Sequence, residues 1–201
     1  MSETSISQRI QPLLERLRLG EASARNELIS ISYDRFRNLT AKILRVNFSR
    51  LKEWEQTDDV VQEAAVRLWK SLEAVQPTST REYLGLGAAQ IRRQLLDLTR
   101  HYYGRRKPGE PVSETPGRSP GPMGDPVGID VSGNTWDPHR LAQWTEFHEL
   151  VEKLPEEERE VVDLLIYHEL TQEEAAEIIG VDKSTVKRRW RAARLKIAEA
   201  L

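Results

Sequence analysis

Apolar residues recur along this chain three and four apart, the spacing of one face of an α-helix. Ile6, Ile10, Leu13, Leu14 and Leu17 follow it over residues 6 to 19, and Gly20 marks a stop. From Glu21 to about Asn47 a longer pattern (Leu28, Ile31, Phe36, Leu39, Ile43, Leu44, Val46) predicts a second helix, broken near Ser30 to Ser32. Thr57 is a good N-cap, and Asp58 and Asp59 sit in the first turn, where the helix dipole favours negative charge. A third helix is expected from there, with Val60, Val61, Ala64, Ala65, Leu68, Trp69 and Leu72 as one apolar stripe. Asp59, Gln62, Glu63, Arg67 and Lys70 are left outside it, on a face that suits water or a partner. After the break at Pro77, Thr78 and Ser79, a fourth helix is predicted from Thr80 to Tyr103, with Leu84, Ala88, Ile91, Leu95 and Leu98 as its core stripe.

Gly104 to Asp137 is different in kind. Its 34 residues hold seven of the eleven glycines and six of the ten prolines, so an irregular linker is expected. As a flexible chain it would span roughly 30 Å on average and about 110 Å fully extended. Two further helices follow, at Pro138 to Leu154 and Pro155 to Glu169. Pro155 followed by Glu156, Glu157 and Glu158 is a helix start, which explains that acid run more simply than a metal site does.

The last segment, Thr171 to Leu201, carries the densest set of signals. Thr171 and Glu174 form a capping-box pattern, Gly180 suits a left-handed helix end, and Asp182 can cap a second helix. On that second helix Val186, Trp190, Ala193 and Ile197 make a buried stripe, while Ser184, Lys187, Arg188, Arg191 and Arg194 fall on another face. Lys183 to Lys196 holds seven Lys and Arg residues and no acid. A solvated basic face would produce such a charge run by itself. The joint spacing of Gln172, Ala176, Gly180 and Val186 before it instead predicts a helix-turn-helix, with a small residue at the helix crossing and a glycine at the turn.

Charge sharpens this picture. The net charge of −2 hides a segregation: Glu156 to Glu177 carries nine acids against Arg159 alone, and Arg92 to Lys107 carries six Lys and Arg residues against Asp97. Two basic patches on a near-neutral chain point to two contacts with a polyanion. In the first patch Arg92, Arg93 and Arg100 crowd beside His101, Tyr102 and Tyr103. Cations interleaved with rings suit single-stranded nucleic acid, and a basic helix end favoured by its own dipole is the alternative. With no cysteine there is no disulfide or thiolate site, and His101, His139, His148 and His168 lack metal-site pairing, so surface positions are expected for them and neither metal nor cofactor. No nucleophile and base pair or phosphate-cradling glycine loop is present, and an enzyme is not expected. The start, Met-Ser-Glu-Thr-Ser, has no signal-peptide pattern, and no run of about eighteen apolar residues occurs, so a cytoplasmic protein without membrane insertion is expected.

Both halves resemble one family. Asp58-Asp59-Val60-Val61-Gln62-Glu63-Ala64 through Leu68-Trp69, Ala88 to Asp97 with Arg100, and Leu170 to Ile197 are together similar to the second and fourth conserved regions of bacterial sigma factors of the sigma-70 superfamily, extracytoplasmic-function (ECF) class. The resemblance spans about residues 21 to 103 and 138 to 200. It implies an all-α fold of two small helical domains: residues 1 to 103, a linker over 104 to 137, and a four-helix domain over 138 to 201 with the helix-turn-helix. It further implies that Asp59, Gln62, Glu63 and Arg67 dock on the clamp helices of the RNA polymerase largest subunit. Tyr83, Arg92, Arg93 and Arg100 would contact the single-stranded −10 element of a promoter, Tyr83 standing where the family often has an aromatic in Phe-Arg-x-Trp-Leu. Lys183, Ser184, Thr185, Lys187, Arg188, Arg191 and Arg194 would contact the −35 duplex. An anti-sigma protein or another regulator is a further partner that the resemblance implies. The rival reading is a free-standing helix-turn-helix regulator that binds operator DNA without polymerase, usually as a two-fold pair.

Overall fold

The structure is a computed structural model and describes residues 5–47, 53–104 and 138–201. Among these residues every regular element is helical. The N-terminal body is built from α1 (Ile6–Arg18), α2 (Ala22–Asn47), α3 (Glu53–Val75) and α4 (Thr80–Gly104). The C-terminal body is built from α5 (Pro138–Lys153), α6 (Glu156–Val162), a π-helical turn (Asp163–Tyr167), α7 (Gln172–Ile179) and α8 (Lys183–Ala200). The linker expected at 104 to 137 lies, past Gly104, outside the described residues.

Each body closes over the stripes the spacing predicts. Ile10, Leu28, Phe36, Val61, Leu68, Leu72, Leu84 and Ile91 are buried in the first, and Val151, Val161, Val162, Val186 and Ala193 in the second. Truncating one of these to alanine typically costs about 2–5 kcal/mol for a leucine or isoleucine. The two bodies are packed together: α4 lies against the π turn, α5 and α7 as well as against α3, so one core runs through both.

Four local expectations are corrected. α2 runs unbroken through Ser30 to Ser32, because the buried Ser32 hydroxyl bonds the Tyr83 phenol at 2.6 Å instead of capping a new helix. α3 begins at Glu53, four residues before Thr57; the segment contains neither glycine nor proline, and Glu53 and Glu55 favour a helix N-terminus. Asp58, expected as a first-turn acid, accepts a 3.0 Å bond from Arg37 of α2. Trp69 is 40% exposed rather than buried, with the Arg25 guanidinium 4.6 Å above its ring.

A further correction concerns the helix expected from Pro155 to Glu169. It changes to π geometry at Asp163, where the His168 amide donates to the Asp163 carbonyl at 3.2 Å, and it ends at Tyr167, with Glu169 beyond it at φ of 52°. The wider turn brings Asp163, Tyr167 and His168 into the seam between the bodies. His148 and His168 are accordingly buried, not on the surface. The side chains of His101 and His139 lie outside the described residues.

Candidate nucleic-acid interface

The helix-turn-helix forms by the local chemistry its residues supply. Thr171 and Glu174 complete a reciprocal capping box: the Thr171 hydroxyl accepts the Glu174 amide at 3.3 Å, and the Glu174 carboxylate accepts the Thr171 amide at 2.8 Å. Gly180 sits at φ 75°, ψ 37°, and its amide and that of Val181 both donate to the Ala176 carbonyl at 2.9 and 3.0 Å. Ala176 and Val186 are buried near the turn where α7 and α8 pack. Asp182 holds the N-cap position through its backbone, its carbonyl accepting the Thr185 and Val186 amides, without a side-chain cap bond.

The structure sorts the basic residues of α8 into two sets. Arg189 and Lys196 turn back to the acid run, Arg189 to Glu157 at 2.9 Å and Lys196 to Glu158 at 2.6 Å. Lys183 pairs with Glu173 of α7. Lys187, Arg188 and Arg191 are exposed and make no ion pair among the described residues, beside exposed Ser184 and half-buried Thr185 and Arg194. Back-facing cations neutralise the acids of α6 while outward ones remain for a polyanion, and periodicity alone does not separate the two sets.

On α3 the expected docking face is open. Asp59, Gln62 and Glu63 are exposed, and the face continues into Val66, 45% exposed, and Trp69. Val66 stands off the 60, 61, 64, 65, 68, 72 stripe, and that displacement is the sequence signal that puts it on the outer face. Arg67 is half-buried and bonded to Asp97 of α4 at 2.8 Å.

The four candidate −10 residues are not brought together. Arg93 and Arg100 are exposed, and Arg100 lies 3.4 Å from Glu149. Tyr83 is fully buried; its hydroxyl bonds Ser32 and donates to the Leu28 carbonyl at 2.6 Å, both on α2. These partners belong to its own body, so the stacking role expected for Tyr83 is withdrawn in favour of a structural one. Arg92 is 4% exposed and held in an ion pair with Asp163 across the seam, its guanidinium 5.1 Å from the Tyr167 ring centroid. A surface role for Arg92 therefore fails in this arrangement for a different reason: its partners lie on the other body.

The seam is strongly polarised. A cleft of about 830 Å³ opens along it, lined by Arg81, Arg93 and Arg159 and by Glu152, Glu156 and Glu160. Burial pushes the Asp163 carboxyl up to about 6 against the pull of Arg92, so it is a carboxylate at neutral pH. Burial, with Arg92 nearby, holds the His148 ring down to about 3; its Nδ1 lies 2.6 Å from the Tyr167 hydroxyl. His168 is held down to about 4 by burial, and because its Nε2 donates to the Leu84 carbonyl at 2.7 Å, its Nδ1 carries no proton. Among the described residues no cluster of His, Asp and Glu is arranged to hold a metal ion, and no helix is long and apolar enough to cross a membrane.

Comparison with known proteins agrees with this geometry. A family model described as ECF sigma factor matches residues 7–201. No curated protein matches the chain.

Proposed function

The chain belongs to the ECF sigma factor family, whose members act in transcription initiation, and on that premise we propose that it docks on core RNA polymerase and reads a promoter at two places. The N-terminal body binds the polymerase clamp helices through the outer face of α3, with Asp59, Gln62 and Glu63 as polar contacts and Val66 and Trp69 as the apolar part of the patch. Arg67 reaches that surface only on leaving Asp97. The C-terminal body places α8 in the major groove of the −35 duplex. Arg188 and Arg191 contact base edges there, and Lys187 and Arg194 contact phosphates, with Lys183, Ser184 and Thr185 at the N-terminal end of the helix. Arg93 and Arg100, joined by Arg92 when it is released, meet the phosphates of a single-stranded −10 element.

The observation that carries this reading is the exposed row Lys187, Arg188 and Arg191 on a helix whose other face is packed and whose rear cations are already neutralised. Run-off transcription with core polymerase over a randomised promoter library tests it. Enrichment of two spaced elements, lost with Arg188→Ala, is expected. Failure to associate with core polymerase, together with tight binding to a palindromic duplex, would establish a free-standing regulator instead.

A further inference from the structure

Where the end of α1 and the start of α2 meet the end of α3, the N-terminal body holds a cavity of about 370 Å³, lined by none of the residues assigned to promoter or polymerase contact. Its volume is at the small end of ligand sites. Buried Leu14, Leu72 and Pro77 and half-buried Leu17 give it an apolar wall. Glu15, Arg18, Arg25 and Gln76 supply the polar side.

Two of these residues are costly where they stand. Arg25 lies in the first turn of α2, where the helix dipole disfavours a cation, and its side chain is only 19% exposed. The guanidinium covers the Trp69 ring but makes no hydrogen bond among the described residues. Its Nε is buried without a partner, and the exposed Glu73 carboxylate stays 3.9 Å from the terminal nitrogen that faces it. A cation so withdrawn from water lacks an acceptor that an anion in the cavity would supply. Gln76 takes a left-handed φ of 47°, a conformation that the chain gives to glycine at Gly20 and Gly180. Glu169, the other non-glycine residue with such a φ among those described, uses its side chain to pair with Lys42. The Gln76 side-chain amide has no partner among the described residues. Glu15 and Arg18 are exposed and form no ion pair there either.

We propose that this cavity binds a free apolar α-amino acid of the size of leucine. Its carboxylate would accept from Arg25, Arg18 and the Gln76 amide, its ammonium would donate to Glu15, and its side chain would lie on the leucines and Pro77. An acid and a base beside an apolar wall match a zwitterion. A fatty acid would leave Glu15 unmatched, an amine would leave Arg25 unmatched, and an inorganic anion would leave the apolar wall bare.

Isothermal titration of the full-length protein with L-leucine, N-acetyl-L-leucine and L-leucinamide tests this. The last two each lack one charge, and they mimic the C-terminus and the N-terminus of a peptide. Leucine is expected to bind at one site per chain, with either analogue weaker by about tenfold or more. Arg25→Gln should weaken leucine by about tenfold or more, and Glu15→Gln should bring leucine and N-acetyl-L-leucine to within about twofold of each other. Gln76→Gly separates binding from folding: with the left-handed φ relieved, the melting temperature should hold or rise while leucine binding weakens severalfold. Absence of leucine binding at about 10 mM overturns the site, as does an affinity unchanged in both Arg25→Gln and Gln76→Gly. N-acetyl-L-leucine binding as tightly as leucine overturns the amino-acid assignment in favour of a peptide C-terminus. The sigma-factor reading is tested separately by run-off transcription and survives any of these results.

Discussion

Arg92 on α4 and Asp163 in the π turn form a buried ion pair that joins the two helical bodies, each side chain under a tenth exposed. Removing one partner of such a pair is costly because the other charge stays buried, by about 3–5 kcal/mol, whereas replacing both with apolar residues is often neutral or better. Asp163→Asn is expected to lower the urea midpoint and to enlarge the hydrodynamic radius, since parting the bodies relieves the stranded Arg92. Arg92→Met with Asp163→Leu should recover wild-type stability to within about 1 kcal/mol. Gel filtration alongside urea titration measures both.

Acid should loosen the molecule. His148 and His168 have folded values of about 3 and about 4, below the ordinary 6.5, so the stability they contribute is full above about 6.5 and is lost as pH falls through their folded values. Between pH 6 and 4 the unfolded chain therefore holds more protons on these two histidines than the folded chain does, so stability falls with each unit of acidification. His168→Asn should flatten that slope. Urea denaturation at stepped pH checks it.

Tyr83 supplies a direct test of its reassignment. Tyr83→Phe keeps the ring but leaves Ser32 and the Leu28 carbonyl short of a partner, at a cost of about 1–2 kcal/mol. Thermal denaturation should register that loss while affinity for single-stranded −10 DNA stays within twofold of wild type. A larger loss of affinity would return the residue to the DNA surface.

The two sets of cations on α8 should separate by salt. Arg188→Ala or Arg191→Ala is expected to weaken the selected −35 duplex by about 1–3 kcal/mol and relax its sequence preference. Lys187→Ala should weaken every duplex alike and reduce the slope against log salt by about 1. Arg189→Ala, which loses its contact to Glu157, should leave the slope unchanged and show as reduced stability. Fluorescence anisotropy at several salt concentrations distinguishes the three.

Gly180→Ala isolates a backbone effect. A Cβ at that position would meet nothing within 4 Å, so the penalty is the left-handed φ of 75° alone. A loss of about 1–2 kcal/mol in stability is expected, with −35 affinity falling only as far as the turn loosens. Melting curves and duplex binding on the same sample separate the two.

What the order of residues determined by itself was local: where helices start, turn and stop, and which face of each is apolar. Thr171 with Glu174, Gly180 and the Val186 stripe act within a few residues of one another, so the helix-turn-helix was legible without coordinates. The same holds for the exposed Asp59, Gln62 and Glu63. Tertiary structure decided whatever depended on partners far along the chain. Ser32 bonds Tyr83 across 51 positions, and Arg92 bonds Asp163 across 71. Arg92 and Arg93 are adjacent and chemically alike, yet one is sealed and the other is exposed. Helical periodicity assigns a residue to a face, but whether that face meets water or another body is settled by the packing of α4 against the π turn, where desolvation and charge pairing act over contacts that no local spacing encodes.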